Sequence, residues 1–349
     1  MSYTIFLIFI LFVMACSMPE KPGRTANLSP HHTGDGFRNP HNHERRGFGD
    51  FLKWQFDRGP QEAPPIPPAE IPPYQPQYAR TSRNDIHHAD SSEIQITWIG
   101  HASFLVQVGG RNVLTDPIFS DRCSPVSFAG PKRVARPGIK FEDLPEIHAV
   151  VISHNHYDHL DAATIERLGN KPKFFVPLGI AAWLQQKSID NVVELDWWQS
   201  RELSGLRFHS VPVQHFSGRS FFDRNKTLWT GWVIESSAGN IFFAGDTGYS
   251  PDFGEIGRRY DPVRVALIPI GAYRPRWFMS PVHVDPPQAV QIHRDLGSQQ
   301  SIAMHWGTFS LADEPLGEPP VYLKQAIKEA GISEDEFITL KFGETVAFQ

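Results

Sequence analysis

Apolar and polar positions fall into two regimes along the chain, with the change near residue 93. Beyond it, Ile94-Gln95-Ile96-Thr97-Trp98-Ile99 alternates with the two-residue period of a strand, and Phe104–Val108 and Asn112–Thr115, joined through Gly109-Gly110, predict a β-hairpin. The apolar, β-branched segments Ala149–Ser153 and Val265–Pro269 predict buried strands. Further strands are expected at Phe174–Val176, Val192–Leu195, Leu206–Val213, Leu228–Glu235, Asn240–Ala244, Ser301–Met304 and near Thr339–Lys341. Helices are expected at Ala162–Leu168, opened by Asp161 as N-cap, and at Gly179–Lys187, Phe253–Tyr260, Pro286–Asp295 and Val321–Ala330. Strands and helices intermix from residue 93 to 349 with no linker and no repeated motif, so one α/β (α+β) domain is expected, its helices covering β-sheets.

Before residue 93 the pattern differs. Residues 3–15 are apolar but short for a membrane-spanning helix, and Val13-Met14-Ala15-Cys16 resembles a bacterial lipobox lacking a charged n-region. Residues 1–16 thus read as a lipoprotein-type signal or an uncleaved anchor. Lipidation of Cys16 would place a membrane-associated lipoprotein facing the periplasm or cell exterior. Residues 17–92 form a tether and N-terminal strap. Within them, Phe37, Phe48, Phe51, Leu52, Trp54 and Phe56 make an apolar stripe interrupted by basic residues, which either packs on the domain or rests on lipid. Eight prolines in residues 60–76 predict a stiff extended strap lying along the domain.

Composition narrows the chemistry. The 349 residues, 40% hydrophobic, suffice for one large domain, and the net charge of −5 argues against nucleic acid as partner. Two cysteines, Cys16 and Cys123, build no thiolate zinc site, so a metal would need His and carboxylate ligands. Sixteen histidines is a high count; those in the polar N-terminal stretch (His31, His32, His41, His43, His87, His88) read as solvated loop residues.

The ligand types concentrate in Ser153-His154-Asn155-His156-Tyr157-Asp158-His159-Leu160-Asp161, where a strand gives way to a loop that can aim several side chains at one point. Three later strand ends carry His215, Asp246 between Gly245 and Thr247-Gly248, and His305 before Trp306-Gly307. A histidine at one strand end is ordinarily a hydrogen-bonded structural residue. Together with H-x-H-x-D-H, these positions give seven ligands, enough for two Zn2+. One ion would take His154, His156 and His215, the other Asp158, His159 and His305, with Asp246 bridging.

This array resembles the metallo-β-lactamase superfamily of dinuclear hydrolases. The stretches Thr97-Trp98-Ile99-Gly100-His101-Ala102, Thr115-Asp116-Pro117, Glu194-Leu195-Asp196-Trp197-Trp198, Pro275-Arg276-Trp277-Phe278-Met279 and His283-Val284-Asp285-Pro286 resemble the branch of N-acylphosphatidylethanolamine-hydrolysing phospholipase D. The resemblance implies an αββα sandwich of two mixed β-sheets. It implies hydrolysis of N-acylphosphatidylethanolamine to phosphatidic acid and an N-acylethanolamine by a hydroxide bridging two zinc ions, with Asp158, Asp246 and His283 as catalytic residues. Tyr157 and His283 would contact the substrate, and Asp116 and His101 would sit behind the ligands and orient them. Val282 stands where the family often carries Gln. The implied partners are a phospholipid and a membrane surface, with a homodimer among the assemblies allowed. Arg274 and Arg276 read as solvated surface cations or as contacts for lipid phosphate. Trp277, Phe278, Met279, Phe221, Phe222 and Trp229 are candidates for an acyl-chain groove, the Trp277-Phe278-Met279 loop foremost, with Trp229 reading more readily as ordinary core. A lactonase or other metal-dependent esterase on the same fold, or a lipoprotein that only binds zinc or lipid, are the other readings of the site.

Overall fold

The computed structural model describes residues 29–41, 44, 46–57, 63–80, 86, 93–220 and 222–348. The apolar run 3–15, Cys16, His43, His87, His88 and Phe221 lie outside them. Among the described residues no helix is long and apolar enough to cross a membrane.

Two seven-stranded sheets face one another. The first contains β1 (Ile94–Gly100), β2 (Ser103–Val108), β3 (Arg111–Thr115), β4 (Ala149–Val151), β5 (Lys173–Pro177) and β6 (Val192–Leu195), with β14 (Thr345–Phe348) on the outer edge of β1. The second runs from β7 (Ser200–Leu203) through β8 (Leu206–Val211), β9 (Gly231–Ser236), β10 (Gly239–Phe243), β11 (Val263–Pro269) and β12 (Gln300–Met304) to β13 (Phe337–Ile338). In each sheet the first four strands pair antiparallel and the last three continue in parallel. The pairing plan thus repeats although no motif does.

Inner faces fill the space between the sheets with Trp98, Phe104, Phe208, Trp232 and Phe242, all fully buried, and Phe175 of β5 stacks on Phe208 of β8 at 4.0 Å. Helices α2 (Ala162–Leu168) and α3 (Ala181–Gln185) cover the outer face of the first sheet through Ile165, Leu168 and Leu184. Helices α4 (Asp252–Arg259), α6 (Pro286–Leu296) and α7 (Glu318–Ala330) are packed together beside the second.

Several boundaries differ from expectation. Strand β7 was illegible because Arg201 and Glu202 are exposed on an edge strand and carry no apolar alternation. Strand β9 starts at Gly231, since Leu228 and Thr230 bond instead to Leu178 O and Ser153 O. Helix α7 begins at Glu318, before Pro319-Pro320, because a first turn needs no donor there. The last strand is 345–348, not 339–341: a turn closed by Glu344 N donating to Lys341 O, with Gly343 at φ 80°, carries the chain from the second sheet back to the first.

The N-terminal stripe packs on the domain. Phe51 of α1 (Phe48–Leu52) and the adjoining Trp54 bury against Met279; Trp54 stacks on Phe278 at 5.0 Å and donates to Asp313. Phe56 is exposed. The groove expectation changes accordingly: Trp277, Phe278 and Met279 belong to the short helix α5 (Arg276–Met279) under this cover, while Trp229 is core, as its ordinary reading has it. The proline strap crosses the domain, with Tyr74 Oη donating to Gly307 O and Tyr78 bridging to Phe342.

Candidate metal centre

Strands β3, β4, β8, β10 and β12 point the same way within their sheets and deliver Asp116, the 153–161 loop, His215, Asp246 and His305 to one edge. That is where open α/β sheets expose loops able to converge on a ligand. Tight backbone makes the convergence possible. His101, Asp116 and His305 adopt φ of 56°, 31° and 62°, rare for non-glycine residues. Gly245 has φ 60°, and a Cβ there would lie 2.4 Å from Ser153 Cβ, so only glycine brings Asp246 against the histidine loop.

Two four-residue sets of donor atoms result. His154, His156, His215 and Asp246 form one; His101, Asp158, His159 and His305 form the other. In the first, His154 Nε2 and His215 Nε2 lie 2.8 and 3.2 Å from His156 Nδ1, and 3.9 and 3.7 Å from Asp246 Oδ2. In the second, His101, His159 and His305 place Nε2 at 3.0, 3.3 and 3.3 Å from Asp158 Oδ2. Asp246, a member of the first set, also reaches the second, with Oδ2 3.2 Å from His159 Nε2 and Oδ1 3.1 Å from His305 Nε2. The buried Asp246 Oδ1 and His159 Nε2 nevertheless have no hydrogen-bond partner of acceptable geometry. Imidazole nitrogens and carboxylate oxygens converging on one point, two of them buried and unsatisfied, are the donor chemistry of a divalent-metal site, and these residues fit one.

Electrostatics agree. Burial pushes His101, His156, His215 and His283 down to about 3, so each imidazole is neutral and has a lone pair to offer. Burial would also lower His305, but the Asp246 and Asp158 carboxylates outweigh it and bring it up to about 9. The carboxylates thus call for positive charge at that point.

Behind the ligands, Asp116 Oδ2 lies 2.7 Å from His159 Nδ1 and accepts from Ser153 Oγ, which in turn contacts His154 Nδ1 at 2.9 Å. His215 Nδ1 lies 2.9 Å from Val282 O; the backbone supplies this contact, so it does not depend on the side chain at 282. Asn39 of the N-terminal segment donates to His215 O at 2.8 Å, and Ser153 links Asp116 to His154; sequence reasoning missed both, because neither residue type carries a distinctive spacing signal.

His283 lies at the rim, Nδ1 4.0 Å from Asp246 Oδ2 and with its buried Nδ1 unpartnered. Tyr157 is half-buried; its hydroxyl donates to Arg219 O at 2.9 Å, and the Arg219 guanidinium covers its ring at 3.9 Å. Arg274 and Arg276 are corrected as phosphate candidates. The first pairs with buried Glu318, while the second donates to His283 O and Gln288 and pairs with Asp285. Arg276 thereby braces the loop that carries His283.

A sandwich of two mixed sheets with paired His/Asp clusters at one edge defines a metallo-hydrolase architecture. Residues 111–306 match the model of the beta-lactamase superfamily domain, and the chain belongs to the metallo-β-lactamase superfamily. It is 39% identical over 280 residues to N-acyl-phosphatidylethanolamine-hydrolyzing phospholipase D 1 of Caenorhabditis elegans, covering 74% of this chain and 77% of that protein. An uncharacterized protein of Mycobacterium tuberculosis is 43% identical over 242 residues, 67% of this chain; the chain spans 64% of its length. Among solved structures, Igni18, a metallo hydrolase from Ignicoccus hospitalis, superposes with a TM-score of 0.57 at 27% identity, over 74% of this chain and 99% of that one.

Proposed function

We propose that this protein is a zinc-dependent phosphodiesterase of phospholipase D type that cleaves N-acylphosphatidylethanolamine into phosphatidic acid and an N-acylethanolamine. One observation carries the hydrolytic reading: Asp246 lies between the two histidine clusters, 3.7 and 3.9 Å from His215 and His154 on one side and 3.2 and 3.1 Å from His159 and His305 on the other, with a buried oxygen that no donor satisfies at acceptable geometry. The similarity to the Caenorhabditis elegans phospholipase D supports the substrate.

His154, His156 and His215 would hold one ion, and Asp158, His159 and His305 the other, with Asp246 shared and His101 against Asp158. Bound there, two Zn2+ would supply Lewis acidity and lower the pKa of a coordinated water to about 7. The remaining work falls to the chain. Asp116 fixes His159 directly and His154 through Ser153. Neutral His283 sits beside Asp246 with Nδ1 available to a phosphoryl oxygen or the leaving group. Tyr157, held by Arg219 and packed against the cluster of Ile118, Cys123 and Phe309, is the second residue offered to the substrate. Phe309, Leu311 and Leu316 line a small cleft beside His305. The apolar run 3–15 and Cys16 support a lipid-anchored protein working at a membrane surface, alone or as a homodimer.

The test is mass spectrometry of products from the zinc-loaded enzyme on N-acylphosphatidylethanolamine vesicles. Phosphatidic acid and N-acylethanolamine should appear together, and Asp246→Asn should lower the rate by more than about 100-fold, beyond what loss of a supporting residue costs. Turnover of small lactones without phosphodiester cleavage would overturn the phospholipase reading.

A further inference from the structure

The histidines at positions 31 and 32 are not solvated loop residues. His31 is 5% exposed, and its Nε2 lies 2.7 Å from Asp196 Oδ1; His32 Nε2 lies 2.8 Å from Asp196 Oδ2. Neighbouring residues of an extended chain point to opposite sides. Here a turn closed by His32 N donating to Ser29 O swings both imidazoles to the same side.

We propose that His31, His32 and Asp196 form a further metal site, sharing no ligand with the Asp246 centre, that takes a borderline divalent cation such as Zn2+ and fastens the N-terminal hairpin to the domain. Donor atoms of the three residues all lie within 4.8 Å of one another. Both imidazoles approach through Nε2, so with the proton on Nδ1 each presents a lone pair, and the carboxylate between them adds oxygen and negative charge. Two imidazoles and one carboxylate are a recurrent set for divalent transition metals. Among the described residues no Lys or Arg pairs with Asp196, so its charge has no permanent cation.

The surroundings hold the set rigid. His31 stacks on Trp197 with centroids 4.2 Å apart, and Asp196 also accepts from Trp197 N. The hairpin is closed by Thr33 N to Gly36 O and Arg38 N to His31 O, and docks through Phe37 N to Asn225 O. Gly36 lies so close to that loop that a Cβ would fall 2.2 Å from Asn225 O. Beyond the hairpin comes Asn39, which holds the His215 carbonyl. A cation at Asp196 therefore secures a segment that touches the catalytic centre from behind.

The experiment is elemental analysis of the full-length chain, stripped of metal and dialysed against Zn2+. His31→Ala/His32→Ala and Asp196→Asn should each retain one equivalent less than wild type, whatever the content of the Asp246 centre. His32→Cys, which keeps a ligand, should retain it. Zn2+ should slow proteolysis within residues 29–41 of the wild type and leave the double variant unchanged. Equal zinc content in wild type and the double variant, whose changes lie outside both sheets, would overturn the site. So would a hairpin equally protected with and without zinc, the mark of a simple ion pair.

Discussion

Asp116 and His159 meet at 2.7 Å, both fully buried, and the contact falls on the imidazole nitrogen that faces away from the metal centre. The carboxylate fixes the ring's tautomer and angle and raises its basicity, and through Ser153 it reaches His154 in the other cluster. Asp116→Asn is expected to weaken zinc affinity about 10- to 100-fold. Competition with a chromophoric chelator measures it, and an unchanged affinity would rule out the role.

Gly245 poses a sharper steric case. Its φ of 60° and the 2.4 Å approach of a Cβ to Ser153 leave no room for alanine. Left-handed backbone alone costs a non-glycine residue about 1–3 kcal/mol. Gly245→Ala should lower the melting temperature and the zinc content together, read by calorimetry and elemental analysis on one sample. Gly254→Ala, at a helical glycine with open space around its Cβ position, is the control and should do neither.

Trp54 anchors the N-terminal segment to helix α5. Truncating a large buried aromatic typically costs about 3–5 kcal/mol. In Trp54→Ala this loss should appear as undocking of residues 46–57, followed as faster proteolysis there with the sheets still protected in hydrogen exchange. Global unfolding at the same denaturant midpoint as wild type, without faster local cleavage, would count against the anchor.

His293 gives stability a pH dependence remote from the metal ligands. It is buried, with Nδ1 2.9 Å from Ser301 Oγ, and burial holds its pKa below the ordinary value. The unfolded chain therefore binds a proton that the folded chain refuses, so this contribution is complete above about pH 6.5 and is lost as pH falls towards the folded-state pKa. His293→Gln should flatten the decline in urea midpoint between pH 7.5 and 5.5. An unchanged slope would exclude His293 as its source.

Much of this was legible beforehand because the sandwich writes its inner strands as apolar runs and ends them on metal-binding residue types. The H-x-H-x-D-H loop, His215, Asp246 and His305 stand at such ends. What stayed hidden follows other physics. Edge strand β7 has no buried face to impose a pattern. Strand β14 depends on a partner from the opposite end of the domain, which no local window contains. Arg274 and Arg276 read as free cations because their acceptors, Glu318, His283 O and Asp285, meet them only in three dimensions. His31 and His32 looked solvated for the same reason, Asp196 being 164 residues from His32.

The repeated pairing plan places His154, His156, Asp158 and His159 on loops of the first sheet and His215, Asp246 and His305 on loops of the second. Neither half of the sandwich holds a complete donor set. Ions bound at this edge would act as rivets between two otherwise separate layers, so the reaction centre would also be a structural seam. Occupancy would then report assembly: a chain whose layers docked out of register would fail to load metal, and would be silent before it was unfolded.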